Sequence, residues 1–314
     1  MEENDHVIVI IYDCPETTPI PLPVRAGWIR RLYPAVEVIE AWDGPRDVGD
    51  TPEIKRRHED YLLATLAGRK IDAFYSSEFY GDHVSRALGA ADRRVDPDRA
   101  AFPVSGTAVR EHPFVHRHLI DSVVYRDLVM KVVFLGAPST GKTTLAQALA
   151  EEFGTVWMPE YGREYWERQQ TGRRLTEEQL VEIAEGHRER EERLLQEADR
   201  FLFVDTDART TRMFSLYYHG RVHPRLEELA RQASARYDLT LLCGDEIPYD
   251  NTWDRSGEVN RAWMQQRIMM DLQQRNEPFE VLRGTLDVRV GKVRGLLTTG
   301  QRTAAGGAIL GWCR

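Results

Sequence analysis

The sequence predicts an α/β fold in two domains, the second built on a parallel sheet with a phosphate-binding turn. Three observations predict it. The chain has 314 residues, and a domain takes about 150. Short apolar runs alternate with helical patterns along most of its length, as βα units do. An apolar run, Val132-Val133-Phe134-Leu135, leads into Gly136-Ala137-Pro138-Ser139-Thr140-Gly141-Lys142-Thr143, and a helical pattern leads out of it.

The first domain is expected over residues 1–128. Its strands are read at 7–12, 36–39 and 73–76. The run at 7–12 is too short for a membrane span and has no basic flank or small-residue cleavage site, so it reads as a buried strand. Thr51 before Pro52 and Glu53 has the form of a helix N-cap, Ile54, Tyr61, Leu62 and Leu66 share one face, and Gly68 stops the helix. A second helix passes Val84 and Leu88 and ends at Gly89. A seam near 120–130 opens the second domain, expected over 129–314. It reads as strand 131–135, helix 142–153, strand 155–158, a long charged helix 176–198, strand 201–204, helices 210–218 and 224–235, and strand 239–243. From about 295 the chain loses periodicity and reads as a loosely held tail.

Composition sets limits. With 42% apolar and 29% charged residues the chain can bury a sizeable core, which excludes wholesale disorder. The net charge of −8 argues against a non-specific nucleic-acid surface, though a local phosphate site is compatible with it. Cys14, Cys243 and Cys313 stand far apart, so neither a metal pair nor a disulfide framework is expected, and a reducing cytoplasm fits best. The partners expected are small molecules, with neither nucleic acid nor membrane; the oligomeric state stays open.

The turn at Gly136–Thr143 is a complete GxxxxGK[ST] sequence in the right strand-to-helix context. Gly136, Ser139, Thr140, Gly141 and Thr144 belong to a backbone cradle at a helix N-terminus, where free N–H groups attract phosphate. Lys142 supplies a point charge to the β- and γ-phosphates, and the Thr143 hydroxyl is a Mg²⁺ ligand in such sites. ATP and Mg²⁺ are therefore the expected cofactors. Phe201-Leu202-Phe203-Val204-Asp205 reads as a buried strand ending in the carboxylate that positions the metal. Strand alternation would put Asp207 on the same side as Asp205; the alternative for one of them is a helix cap before Thr210. Glu160 and Arg163 follow a strand and so face the ligand crevice of a parallel sheet. Trp157, Tyr161, Tyr165 and Trp166 could stack on a flat ring or belong to the core. Arg255, after Pro248-Tyr249-Asp250, is the first choice for a cation closing over the transferred phosphate, and Arg261 the second; Arg267 fits a solvated helix face equally well. The absence of repeats and of a basic surface favours a small-molecule kinase over a motor.

These residues resemble the bifunctional nicotinamide-nucleotide adenylyltransferase/ribosylnicotinamide kinase family, the NadR type. The resemblance rests on the phosphate turn, Glu160-Tyr161-Gly162-Arg163-Glu164-Tyr165, Val204-Asp205-Thr206-Asp207 with Thr210-Thr211, and Ile247-Pro248. In the first half it rests on Ser76-Ser77-Glu78 and Ser105-Gly106-Thr107-Ala108-Val109-Arg110, and it runs from about residue 6 to 292. It implies a truncated nucleotidyltransferase-like Rossmann domain followed by a nucleoside-kinase-like P-loop domain. Ser105, Thr107 and Arg110 would bind nucleotide at a helix start, the alternative being a plain cap with an exposed arginine. The implied reaction is phosphorylation of the 5′-hydroxyl of nicotinamide riboside, with Lys142, Asp205, Asp207, Glu160 and Arg255 as the catalytic set; whether Glu160 or Asp207 takes the proton is left open.

One departure stands out. Adenylyltransferases of this type resemble one another in an HxGH-like signature after their first strand, and this sequence has none. Met1 falls just before what would be the family's second strand. Either residues precede Met1, or the domain has become a scaffold or ligand-sensing lobe. Two rivals to the kinase follow: a bifunctional enzyme that also makes NAD, and a nucleotide-sensing regulator without turnover.

Overall fold

The computed structural model describes residues 3–47, 49–77, 80–170, 174–249 and 258–299. Contacts divide the chain into two units, Met1–Val123 and Val124–Arg314. The second unit thus takes in residues 124–128, which the sequence assigned to the first: Tyr125 is buried there and its hydroxyl donates to the Ala198 carbonyl at 2.6 Å.

The first unit is two βαβ crossovers. Strand β1 (Ile8–Tyr12), helix α1 (Leu22–Leu32) and strand β2 (Glu37–Ala41) form one, with β1 and β2 parallel. After helix α2 (Pro52–Leu66), strand β3 (Ala73–Ser76), helix α3 (Gly81–Leu88) and strand β4 (Ala91–Arg94) form the other, again parallel. Among the described residues each pair is a sheet of two strands. Expected as buried, β1 is half-buried throughout, as suits a strand with a neighbour on one edge. The sequence reading missed β4 because Ala91-Asp92-Arg93-Arg94 is exposed along its length and shows no apolar run. The N-cap at Thr51 is where expected, accepting from the Ile54 N–H. The helix turns left-handed at Ala67, one residue before Gly68. A short helix, α4 (Gly106–Glu111), follows, and α5 (Ser122–Leu128) leads into the second unit.

The second unit is a five-stranded parallel sheet. In chain order its elements are β5 (Met130–Leu135), α6 (Lys142–Phe153), β6 (Trp157–Met158), α7 (Tyr161–Gln169), α8 (Glu177–Leu194), β7 (Phe201–Asp205), α9 (Ala208–His219), α10 (Pro224–Ala233), β8 (Leu239–Cys243), α11 (Glu258–Gln274), β9 (Glu280–Leu282) and α12 (Leu286–Thr299). The strand order is β6-β7-β5-β8-β9, with every pairing parallel. Continuous apolar runs fit strands covered on both faces; Val132, Phe134, Phe203, Leu239 and Leu241 are buried together with Leu145 and Leu149 of α6. From β5 the chain reaches β7 on one side and β8 on the other, so a crevice opens beyond the carboxyl end of β5. The expected loose tail is corrected at its start: α12 runs to Thr299, and Leu296 and Leu297 pack on the core. Residues 300–314 lie outside the described residues. Among the described residues no helix is long and apolar enough to cross a membrane.

Candidate active site

The phosphate turn sits at that crevice. Gly136 has φ +143°, and a Cβ there would lie 2.8 Å from Thr140 Oγ1 and 2.9 Å from the Cys243 carbonyl, so only glycine lets the turn fold against β8. Gly141 caps α6 in a left-handed conformation (φ +81°) without side-chain help, which leaves the helix's first N–H groups for an anion. Lys142 is buried, and its Nζ donates to the Gly136 and Ala137 carbonyls, each at 3.0 Å.

Three side chains from the last third of the chain hold this turn, two of which sequence reasoning missed. Gln265 of α11 accepts from the Ala137 N–H at 2.9 Å and donates to the Cys243 carbonyl at 2.9 Å. Arg289 of α12 donates to the Thr140 carbonyl at 2.6 Å and pairs with Glu246 at 2.9 Å. Arg261, the sequence's second choice for a phosphate cover, donates to the Ser139 carbonyl at 2.9 Å. Arg267 is exposed and lies over the Trp263 ring. Arg255 lies outside the described residues.

Asp205 ends β7 beside the turn. Its Oδ2 accepts from Thr143 Oγ1 at 2.5 Å, while Oδ1 is buried with no hydrogen-bond partner. Burial pushes its pKa up to about 6; the Lys142 charge opposes the shift and Glu160 adds to it. An orphaned carboxylate oxygen beside a threonine hydroxyl is a hard oxygen set of the kind that takes one face of a Mg²⁺ ion, the rest being water and phosphate. The residues present therefore fit the metal.

Asp207 corrects the sequence reading. Thr206 takes a left-handed conformation (φ +66°), so the strand ends at Asp205 and alternation does not carry on. Asp207 is the N-cap of α9, accepting from the Arg209 N–H at 2.8 Å. Its other oxygen takes Arg209 Nε at 2.8 Å and Nη2 at 2.5 Å. Arg209 in turn bonds Glu277, which Ser234 and Thr240 also serve. This closed, buried network fixes the turn beneath the site, and Asp207 is absent from the cavity wall.

A cavity of about 480 Å³ runs from the phosphate turn into the space between α7, α8 and α9. The turn from Gly136 to Thr144 lines one end, with Glu160 and Arg163 beside it. Of the four aromatics flagged in the sequence, Trp166 lines the cavity. Trp157 packs on the core instead, Tyr161 carries the Arg190 guanidinium 4.0 Å over its ring, and the Tyr165 hydroxyl donates to Glu182. Sequence reasoning missed His187, Phe214 and Tyr218, which also line it. His187 could have been found: it continues the buried face of α8 made by Leu180, Ile183 and Ala184.

In the first unit Ser105 caps α4 through the Ala108 N–H at 3.0 Å, and Arg110 donates to Thr107 Oγ1 at 3.1 Å. Ser105 is thus occupied as a helix cap, and Thr107 and Arg110 with each other. Glu78, the family-like acid after Ser76-Ser77, lies outside the described residues.

A family model described as an AAA domain matches residues 131–289. The trifunctional NAD biosynthesis/regulator protein NadR of Escherichia coli (strain K12) is 32% identical over 221 residues, covering 68% of this chain and 52% of that protein. The chain spans about half the length of the curated relatives it matches. A crystal structure of NadR protein in complex with NAD and AMP-PNP superimposes with a TM-score of 0.56 at 22% identity, covering 97% of this chain and 91% of the other. A NadR structure in complex with NR gives the same figures.

Proposed function

We propose that this chain, which belongs to the AAA domain family through residues 131–289 and to the NadR-type proteins, is an ATP- and Mg²⁺-dependent kinase that phosphorylates the 5′-hydroxyl of nicotinamide riboside. One observation carries the reaction type: Lys142, the Thr143–Asp205 pair and the walled cavity converge at the carboxyl ends of β5 and β7. Two bound forms named for NadR structures, AMP-PNP and NR, support the choice of donor and acceptor.

The roles follow from position. The α6 N-terminus and the glycine turn cradle the phosphates. Lys142 exchanges the Gly136 and Ala137 carbonyls for phosphate oxygens. Thr143 and Asp205 would hold Mg²⁺, which would supply positive charge to neutralise the phosphates. Glu160, on the acceptor side, takes the hydroxyl proton, and Arg163 beside it balances the charge that spreads over the transferred group. Trp166 and its aromatic neighbours hold the flat ring. Cys14 and Cys243 are free thiols, which fits a reducing cytoplasm.

The test is a panel of nucleosides with ATP and Mg²⁺, scored by ADP release. Nicotinamide riboside should lead the panel, and Lys142→Ala should abolish turnover while leaving the fold intact. Near-normal turnover in that variant, or an acceptor profile with no nucleoside in it, would end the proposal.

A further inference from the structure

Two residues in the wall of the acceptor cavity each carry a buried polar atom with nothing to bond. His187 Nε2 and Thr210 Oγ1 are buried without a hydrogen-bond partner, and both residues line the cavity wall. Buried polar atoms are nearly always paired, so two unpaired ones in the wall of one cavity point to a partner supplied from the cavity, a ligand group or an ordered water. His187 sits on α8 and its ring meets the Thr206 backbone; Thr210 sits in the first turn of α9. The two are therefore at the β7 end of the cavity, close to Asp205.

Burial holds the His187 imidazole down to about 4, against the Asp207 and Glu160 charges that would raise it. The ring is neutral at physiological pH. Since Nε2 is the unpaired nitrogen, the bond to the Thr206 backbone belongs to Nδ1–H, and Nε2 presents a lone pair. It accepts from a hydroxyl. The Thr210 hydroxyl can both give and accept.

Beyond this pair the wall changes character. Phe214 and Tyr218 follow Thr210 along one face of α9, about 6 and 12 Å further on at 1.5 Å per residue. Leu180 and Ile183 hold the corresponding face of α8. The cavity is polar next to the phosphate turn and apolar and aromatic beyond it. That gradient suits a molecule with hydroxyls close to its reacting group and a flat ring at its far end.

We propose that His187 and Thr210 form a subsite for a ring hydroxyl of the acceptor sugar, so that the cavity selects a ribonucleoside over its deoxy counterpart. The inference rests on the kinase reading for the identity of the acceptor.

The test uses the full chain and two readouts. Calorimetry measures binding of nicotinamide riboside and its 2′-deoxy and 3′-deoxy forms; a coupled assay measures phosphorylation of each. The wild type should bind the ribonucleoside at least about tenfold more tightly than one of the deoxy forms, the scale of one buried hydrogen bond. His187→Phe and Thr210→Val should each lose that tenfold for the ribonucleoside and nothing for that deoxy form, with KM for ATP within about twofold of wild type. His187→Gln should recover part of it. Should His187→Phe fail to fold, Thr210→Val carries the same comparison. Variants that melt like wild type and still discriminate overturn the subsite, as does a wild type that binds all three forms alike. A wild type that binds the ribonucleoside and transfers no phosphate refutes the kinase reading, and the calorimetric discrimination then decides the subsite by itself.

Discussion

Replacing Asp207 by Asn separates the two readings of the acids after β7. Read from sequence, both Asp205 and Asp207 are candidates for chemistry. In the structure Asp207 is 3% exposed, its partner Arg209 4% and the second acid on Arg209, Glu277, 8%, so Asp207→Asn breaks a buried ion pair. Removing one partner of such a pair costs about 3–5 kcal/mol. The low end applies here, because Arg209 keeps Glu277 and the asparagine side chain still caps α9. A loss of about 3 kcal/mol in a domain of this size lowers the melting temperature by about 6–12 °C. Turnover measured well below that transition should stay within about threefold of wild type. Asp205→Asn should do the opposite. Asp205 is fully buried with its pKa already raised to about 6, so a neutral amide costs the fold little, while the metal loses its carboxylate and turnover falls by about 100-fold or more. The paired assay is scanning calorimetry and steady-state ADP release on both variants. An Asp207→Asn protein that melts with wild type and is inactive would refute the assignment of Asp207 to the scaffold.

Gln265→Leu should raise KM for ATP about tenfold and lower stability by about 2–4 kcal/mol, because it leaves the Ala137 N–H and the Cys243 carbonyl unpaired in the interior; nucleotide titration and thermal melts check both. Affinity for Mg²⁺·ATP should weaken as pH falls through about 6, since the proton competes with the cation for Asp205; titration of a non-hydrolysable analogue across pH 5 to about 8 reads it. In ligand-free protein the same group acts with the other sign. The folded state holds this proton to about 6, against 3.8 for an ordinary aspartate, so its contribution to stability falls as pH rises through that window.

The parts of the site that the sequence made legible are those encoded locally. Gly136–Thr143 sets its own conformation from glycines and a following helix, and Asp205 terminates an apolar run that can only be an interior strand. The Thr51 cap is legible for the same reason. Asp207 was misread because the alternation rule holds only while the backbone stays extended, and nothing in Val204-Asp205-Thr206-Asp207 announces the left-handed Thr206. Strand β4 was missed because an exposed strand of charged residues carries no hydrophobic period. Helix α12 has its apolar residues interrupted by Gly291 and Gly295, which weakens a pattern that packing against the core restores.

The bracing of the phosphate turn itself was beyond any local pattern. Arg261 and Arg289 lie more than a hundred positions from the turn carbonyls they bond; the sequence marks Arg261 only as a second choice to cover the phosphate, and Arg289 passes in its helix as an ordinary solvated cation. Their effect is nevertheless on the motif itself. A phosphate turn works by presenting N–H groups, and its carbonyls are the competing partners for Lys142. With the Ser139 and Thr140 carbonyls tied to two arginines and the Ala137 N–H tied to Gln265, the turn is fixed before a nucleotide arrives. Lys142 then has the Gly136 and Ala137 carbonyls to leave, and nothing in the turn itself to rearrange. Preorganisation of this kind lowers the cost of binding. It also makes the geometry of a short local sequence depend on α11 and α12, so damage to either helix should be read first as a rise in KM for ATP.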